Sequence, residues 1–262
     1  MNIAVCIKQV PGTNKVEVDP VTGVLKRNGV ESKMNPYDLY AIETALRLKE
    51  QFGGEVRVIT MGPPQAEAVI YEAFSMGADD GYLITDRAFA GADVLATSRA
   101  ISQGLKKSGD FDIIICGKQS TDGDTAQVGP EISEYLGLAS VTNVTEIISA
   151  DDKSITVKRS LPLAVETVKL KFPCLISVEK DIYIPRLPSY LKKQATKDKK
   201  IGVFTLNDFE DNDPMHYGLN GSPTQVQRIF PPAVNDKREM WQGSAHEIVQ
   251  KLSDKLKELK FL

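Results

Sequence analysis

Apolar positions along this chain alternate between short runs rich in β-branched residues and longer stretches with helical spacing. "NIAVCIKQV", residues 2–10, is a run of the first kind that stops at Pro11 and suits a central strand. "VEVDPVTGVLKRNGV", residues 16–30, alternates around Asp19-Pro20 and Thr22-Gly23 and reads as a small hairpin. "NPYDLYAIETALRLKEQFGG" follows as the clearest helix. Asn35 suits its N-cap and Pro36 its first turn, Leu39, Ile42, Leu46 and Leu48 lie mostly on one face, and Gly53-Gly54 stop it.

The same alternation then repeats. "EVRVITMG" predicts a strand and "PPQAEAVIYEAFSMGA" a helix, "DGYLITD" a strand and "DVLATSRAISQGLKK" a helix. "FDIIICG" predicts a strand and "TAQVGPEISEYLGL" a helix, with two further strands in "ASVTNVTEII" and "SITVKRS". Strands separated by helices imply a mostly parallel sheet covered on both faces, a doubly wound α/β domain spanning residues 1–185.

Beyond that point the pattern changes. "RLPSYLKKQATKDKK" is basic and poor in core candidates, and "NDFEDNDPMHYGLNGSPTQVQRIFPPAVND" is rich in Pro, Gly and Asn without periodicity. The amphipathic "SAHEIVQKLSDKLKELK" closes the chain. Two readings apply to residues 201–262: a tail that touches nothing, or an arm laid on another subunit. Ile229, Phe230 and Trp241 favour the arm, because large apolar residues are wasted on a solvated tail.

Composition narrows the function. Hydrophobic residues make up 42% and charged residues 26%, enough for a sizeable core, and the net charge of −3 argues against a nucleic-acid partner. Cys6, Cys116 and Cys174 each lie in an apolar run and read as free thiols of a reducing compartment. The sequence has no apolar window of membrane-spanning length and no signal-peptide core after Met1, so a soluble, cytoplasmic protein is expected.

In parallel sheets ligands sit beyond the carboxyl ends of the strands, where loops run into helix N-termini. Four loops qualify here: Cys6 to Gly12, "MNPYD", "TMGPPQ", and "GKQSTDGDTAQVGP" at residues 117–130. In the fourth, Gly117 and Gly123 permit close backbone approach, and Asp122 and Asp124 can accept ribose hydroxyls. Thr125, Ala126, Gln127 and Val128 offer successive N–H groups at an expected helix start. An Asx-turn with an N-cap would need only one of Ser120, Thr121 and Asp122, so composition leaves a nucleotide loop and ordinary turn chemistry both open. GxGxxG and GxxxxGK[ST] are both absent. The two histidines, His216 and His246, fall in the late region, and no carboxylates, His or Cys stand at metal spacing. Chemistry in the α/β domain therefore falls to a bound cofactor.

"CIKQVPGT", "MNPYDLYAIETALRLKE", "MGPPQAEAVIYEAFSMGAD" and "GKQSTDGDTAQVGPEISEYLG" together closely resemble the small (beta) subunit of electron-transferring flavoproteins, nearly continuously from residue 1 to 180. The resemblance implies a flavodoxin-like α/β domain and a C-terminal arm embracing a large subunit. It implies a nucleotide pocket holding AMP in plain electron carriers and FAD in electron-bifurcating members. Carried onto this sequence, the pocket comprises Cys6, Asn35, Pro36, Tyr37, Asp38, Met61 and the stretch Ser120, Thr121, Asp122, Gly123, Asp124, Thr125, Ala126, Gln127, Val128, Gly129, Pro130 and Glu131.

"DGDTAQVGP" is similar to the bifurcating branch, in which small residues make room for a diphosphate. That branch implies NADH as transient electron donor, a flavin-dependent dehydrogenase of acyl-CoA or 2-hydroxyacid type as one acceptor, and a ferredoxin or flavodoxin as the other. The plain carrier with AMP is the alternative within the family, and an ATP- or AMP-binding signalling module is the alternative outside it. Residues 186–200 correspond to the family's docking loop, with Leu187 as apolar anchor and Lys192 and Lys193 as steering charges. Two departures leave the partner open. Pro162-Leu163-Ala164 replace an acidic-glycine pair, although Arg159, Glu166 and Pro173 keep their places, and "KDIYIPRLPSYLKK" replaces an Asn–acid–Pro–Arg–Tyr lead-in.

Overall fold

A computed structural model describes residues 1–12, 32–227 and 238–262. The expected hairpin at 16–30 and the side chains of Ile229 and Phe230 lie outside the described residues. The chain divides into two units, the larger ending at Gln227.

The larger unit begins with β1 (Asn2–Cys6), β2 (Gln9–Pro11), β3 (Ser32–Met34) and α1 (Pro36–Phe52). It continues through β4 (Glu55–Met61), α2 (Glu67–Met76), β5 (Asp80–Ile84), α3 (Val94–Ser108), β6 (Ile113–Gly117) and α4 (Val128–Leu136). Next come β7 (Ala139–Ala150), β8 (Ser154–Leu161), β9 (Ala164–Lys171), β10 (Cys174–Val178), α5 (Tyr190–Thr196) and β11 (Gly202–Phe204). Among the described residues nine strands form one sheet in the order β11-β5-β4-β1-β6-β10-β7-β8-β9. The pairings from β11 to β7 are parallel, and β7–β8 and β8–β9 are antiparallel. β2 and β3 form a separate antiparallel pair. The doubly wound α/β expectation holds.

Alternation along the strands builds two cores. Ile3, Val5 and Ile7 face α1 and α2, whereas Ala4 and Cys6 face α3 and α4 with Ile59, Ile114 and Cys116. From β1 the chain winds outward through β4 and β5, then returns through β6 to the other side of β1. The strand order therefore reverses between β1 and β6, and in open parallel sheets ligands bind at the carboxyl ends of the strands on either side of such a reversal.

Three features depart from the sequence reading. The unit does not close at residue 185: β11 pairs with β5, and Leu206, Phe209 and Tyr217 bury themselves with Phe89 in the α3 core. The Tyr217 hydroxyl donates to Asp211 O at 2.6 Å, and Asp93, the N-cap of α3, accepts from Thr224. His216 thus belongs to the α/β unit, where its Nδ1 lies 2.9 Å from Asp211. Residues 186–200 are not a plain loop, since α5 is capped by Ser189. β10, a fully buried strand, is inserted between β6 and β7.

In the second unit, α6 (Ala245–Glu258) is opened by a capping box between Ser244 and Glu247. It leaves Val249 and Leu252 exposed. Among the described residues no helix is long and apolar enough to cross a membrane.

Candidate functional site

At the carboxyl ends of β1 and β6, backbone turns converge on two polar residues at the head of α1, Asn35 and Asp38. Asn35 occupies the N-cap position but does not cap the helix with its side chain. Its Nδ2 donates instead to Asp38 Oδ1 and to Gln119 O, both at 2.9 Å, and its Oδ1 accepts from the Thr121 N–H at 3.2 Å. Its own N–H donates to Lys8 O at 2.8 Å. One buried side chain thereby ties the start of α1 to the loop after β6, and its backbone ties in the loop after β1.

Asp38 is the second organiser. Its Oδ2 accepts the Lys8 N–H at 2.7 Å, and Gly117 packs so closely on it that a Cβ there would lie 2.5 Å from Oδ1. Burial pushes the Asp38 carboxyl up to about 7, against the hydrogen bonds from Asn35 and Lys8 that favour its charged form. The Lys8 ammonium lies 2.7 Å from Asp122 Oδ1. Burial would raise Asp122, but Lys8 holds it below the usual carboxylate range. The loop after β4 joins through the Gln9 side-chain amide, which donates to Gln65 O at 3.2 Å. Lys118 pairs with Glu179 at 2.6 Å on the β10 side.

The loop after β6 differs from its expected form. The helix starts at Val128, not Thr125, because Asp124 and Ala126 both stand at φ 56°, the left-handed region that breaks a helix. Gln127 holds the N-cap position, without a side-chain cap, so none of Ser120, Thr121 and Asp122 serves as the N-cap of α4. Among the described residues nothing accepts from the N–H groups of Thr125, Ala126 and Gln127, which lead into the positive end of α4. Asp124 N–H returns to Ser120 O at 2.9 Å, and its carboxylate pairs with the Gln119 side chain. Donors without acceptors among the described residues, beside a helix start, form a setting in which an anion can bind. Of Gly117 and Gly123, Gly117 is in forced contact, whereas among the described residues a Cβ at Gly123 would meet Ser120 Oγ alone, at 3.5 Å.

The remaining residues take distinct places. Pro36 and Tyr37 open α1, and the Tyr37 backbone carbon would lie 2.7 Å from a Gly117 Cβ. Cys6 and Cys116 are registered neighbours on β1 and β6, and the hydrogen bond to Cys116, with burial, raises the Cys6 thiol. Met61 ends β4 against the same core. Gly129 packs over Cys116, and Pro130 completes the first turn of α4 with it. Glu131 departs from the group: among the described residues its Oε2 is buried without a partner, and its carboxyl is raised by burial and by Asp93 at the head of α3. Cys174 is buried in β10, its thiol pushed up to about 12.

Lys8 and Gln119 escape the sequence reading. Each lies inside a quoted loop, but only the fold shows which residue each meets. On the far side of α1 and α2, Leu187 is 87% exposed, and Ile184, Tyr190 and Leu191 are exposed beside it in sequence. Lys193 is exposed. Lys192 is not a freely solvated charge, since its ammonium caps the carboxyl end of α2 at Met76 O, 3.1 Å away.

Residues 22–209 match the family model described as the electron transfer flavoprotein domain. The chain is 46% identical over 257 residues to "Electron transfer flavoprotein subunit beta" of Thermoanaerobacterium thermosaccharolyticum, covering 98% of both chains. It is 43% identical over 262 residues to "Caffeyl-CoA reductase-Etf complex subunit CarD" of Acetobacterium woodii, again covering 98% of both. Identity to "Protein FixA" of Azorhizobium caulinodans is 41% over 244 residues, 91% of this chain and 87% of that one.

Proposed function

The chain belongs to the electron transfer flavoprotein family, as a beta subunit, and from that premise we propose that it is the FAD-holding small subunit of an electron-bifurcating complex. The observation that carries this reading is the open loop at 120–127. Its backbone turns left-handed at Asp124 and Ala126, and three N–H groups in a row lack acceptors among the described residues. Gly123, Thr125 and Ala126 are small, and among the described residues only Ser120 comes within 4 Å of a Cβ placed at Gly123. This donor set suits a diphosphate.

In this reading the N–H groups of Thr125, Ala126 and Gln127 hold the diphosphate at the head of α4. Asp122 and Asp124 are within the same loop to accept ribose hydroxyls, and Lys8 offsets the charge of Asp122. Asn35 and Asp38 keep the three segments in register. FAD bound here would accept a hydride from NADH and pass its two electrons singly, one through the large subunit's flavin to a dehydrogenase and one to a ferredoxin or flavodoxin. The chain's own part is to orient the cofactor and set its local charge.

Leu187 is the docking anchor for the dehydrogenase in this proposal, and the arm from residue 228 onward binds the large subunit. The name of the Acetobacterium woodii relative, which joins it to a CoA-thioester reductase, supports a partner of acyl-CoA type. The test is coupled turnover of the purified heterodimer. NADH-driven reduction of ferredoxin should require the dehydrogenase and its acceptor in the same mixture. Ferredoxin reduction that needs no second acceptor, or none under any condition, contradicts bifurcation and leaves the plain carrier.

A further inference from the structure

The segment carrying Leu187 is anchored on both sides. Arg186 presents its fork to Glu43, with Nε 2.8 Å from Oε2 and Nη2 3.1 Å from Oε1, and its backbone N–H also donates to Oε2 at 3.1 Å. Its Nη1 lies 2.6 Å from Glu50. Beyond Pro188, the Ser189 N–H donates to Ser75 O at 2.8 Å, and Lys192 holds Met76 O. One side is thus fastened to α1 and the other to α2. Leu187 stands between them, 87% exposed.

Glu43 is buried at 2% exposure, so a cation beside it is needed on electrostatic grounds alone. Arg47 already supplies one, at 2.9 Å. The second guanidinium is therefore in excess of neutralising Glu43, and its bidentate geometry fixes direction as well as charge.

We propose that Arg186 is the positioning residue for docking: by locking the backbone of its own position to α1, it holds Leu187 outward in the conformation that an apolar pocket of the partner dehydrogenase receives. The inference rests on the docking reading of Leu187 given above. A preformed anchor loses little conformational freedom on binding, whereas a loosened one must be ordered at the moment of contact.

The experiment uses the purified heterodimer and a purified flavin-dependent acyl-CoA dehydrogenase that accepts electrons from it. KM for that dehydrogenase and the limiting rate are measured for wild type, Leu187→Ala, Arg186→Gln, Arg186→Lys and Arg186→Gln/Leu187→Ala. Each single variant should raise KM by about tenfold at an unaltered limiting rate. The double variant should be no worse than Leu187→Ala within about twofold, because Arg186 acts only through Leu187. Arg186→Lys keeps the charge and loses the fork, so it serves if Arg186→Gln does not fold. An Arg186 variant with wild-type KM beside an impaired Leu187→Ala, or multiplying effects in the double variant, overturns the inference. A wild-type KM for Leu187→Ala removes the docking reading itself.

Discussion

Lys8 and Asp122 join the loop after β1 to the loop after β6 across the mouth of the site, Nζ to Oδ1 at 2.7 Å. Both side chains are partly solvated, at 46% and 33% exposure, so the pair adds at most about 1 kcal/mol to folding. Its consequence is local, because it ties the fourth loop to the loop after β1 and offsets the Asp122 carboxylate, whose charge would otherwise repel an anion. Lys8→Met should leave the melting temperature of the heterodimer nearly unchanged and speed nucleotide loss by about tenfold, or ~1.4 kcal/mol. Nucleotide retained after repeated gel filtration measures this, and unchanged retention would remove Lys8 from the site.

Gly117 and Gly123 of the same loop should separate folding from binding. At Gly117 a methyl group would collide with Asp38 Oδ1 and with the Tyr37 backbone. Gly117→Ala should therefore destabilise the protein by about 1–3 kcal/mol, as overpacking does. Gly123 has open space and no left-handed φ, so Gly123→Val should fold normally and hold nucleotide poorly. Denaturant titration and nucleotide content together check the contrast. A Gly123→Val protein with full nucleotide would show that the diphosphate lies elsewhere.

What the sequence makes legible, and what it hides, follows from the range of each interaction. The strand-helix alternation from "NIAVCIKQV" to "EISEYLGL" is a local signal, and the strands and helices form where periodicity places them. The four candidate loops are legible for the same reason, since they follow strand ends. The start of α4 is not, because helix-compatible Thr125 and Ala126 are overridden by left-handed turns. Burial of Leu206, Phe209 and Tyr217 carries no period and depends on Phe89 far upstream. Lys8 meets Asp122 across 114 residues and Arg186 meets Glu43 across 143, so no spacing announces either pair.

Asp38 should give the molecule a defined pH response. Its proton leaves near the ordinary value of 3.8 in the unfolded chain and near 7 in the folded one. Between those values the folded state binds more protons, so stability falls as pH rises. Lys8 and Asp122 are the charged groups facing it, the first opposing and the second reinforcing the shift. Relative to Asp38→Asn, the wild type should lose about 2.5 kcal/mol from pH 5 to pH 8, at up to ~1.4 kcal/mol per unit. Parallel stability curves for the two proteins would show that Asp38 is ionised throughout.

The segment after β11 should behave as core, not as arm. Tyr217 is fully buried against Phe89 and Phe209. Tyr217→Ala should cost about 3–5 kcal/mol of folding stability. Thermal unfolding of the isolated small subunit tests it, since a role confined to contact with the large subunit would leave that transition unmoved.

The central claim, that the open loop of this subunit holds FAD, is tested most directly by the nucleotides released from the purified heterodimer. Acid release followed by chromatographic quantitation should give two FAD and no AMP per heterodimer. Gly123→Val should reduce the count to one, with the large subunit's flavin remaining. One FAD with one AMP in the wild type, or two FAD retained by the Gly123→Val protein, would contradict the account.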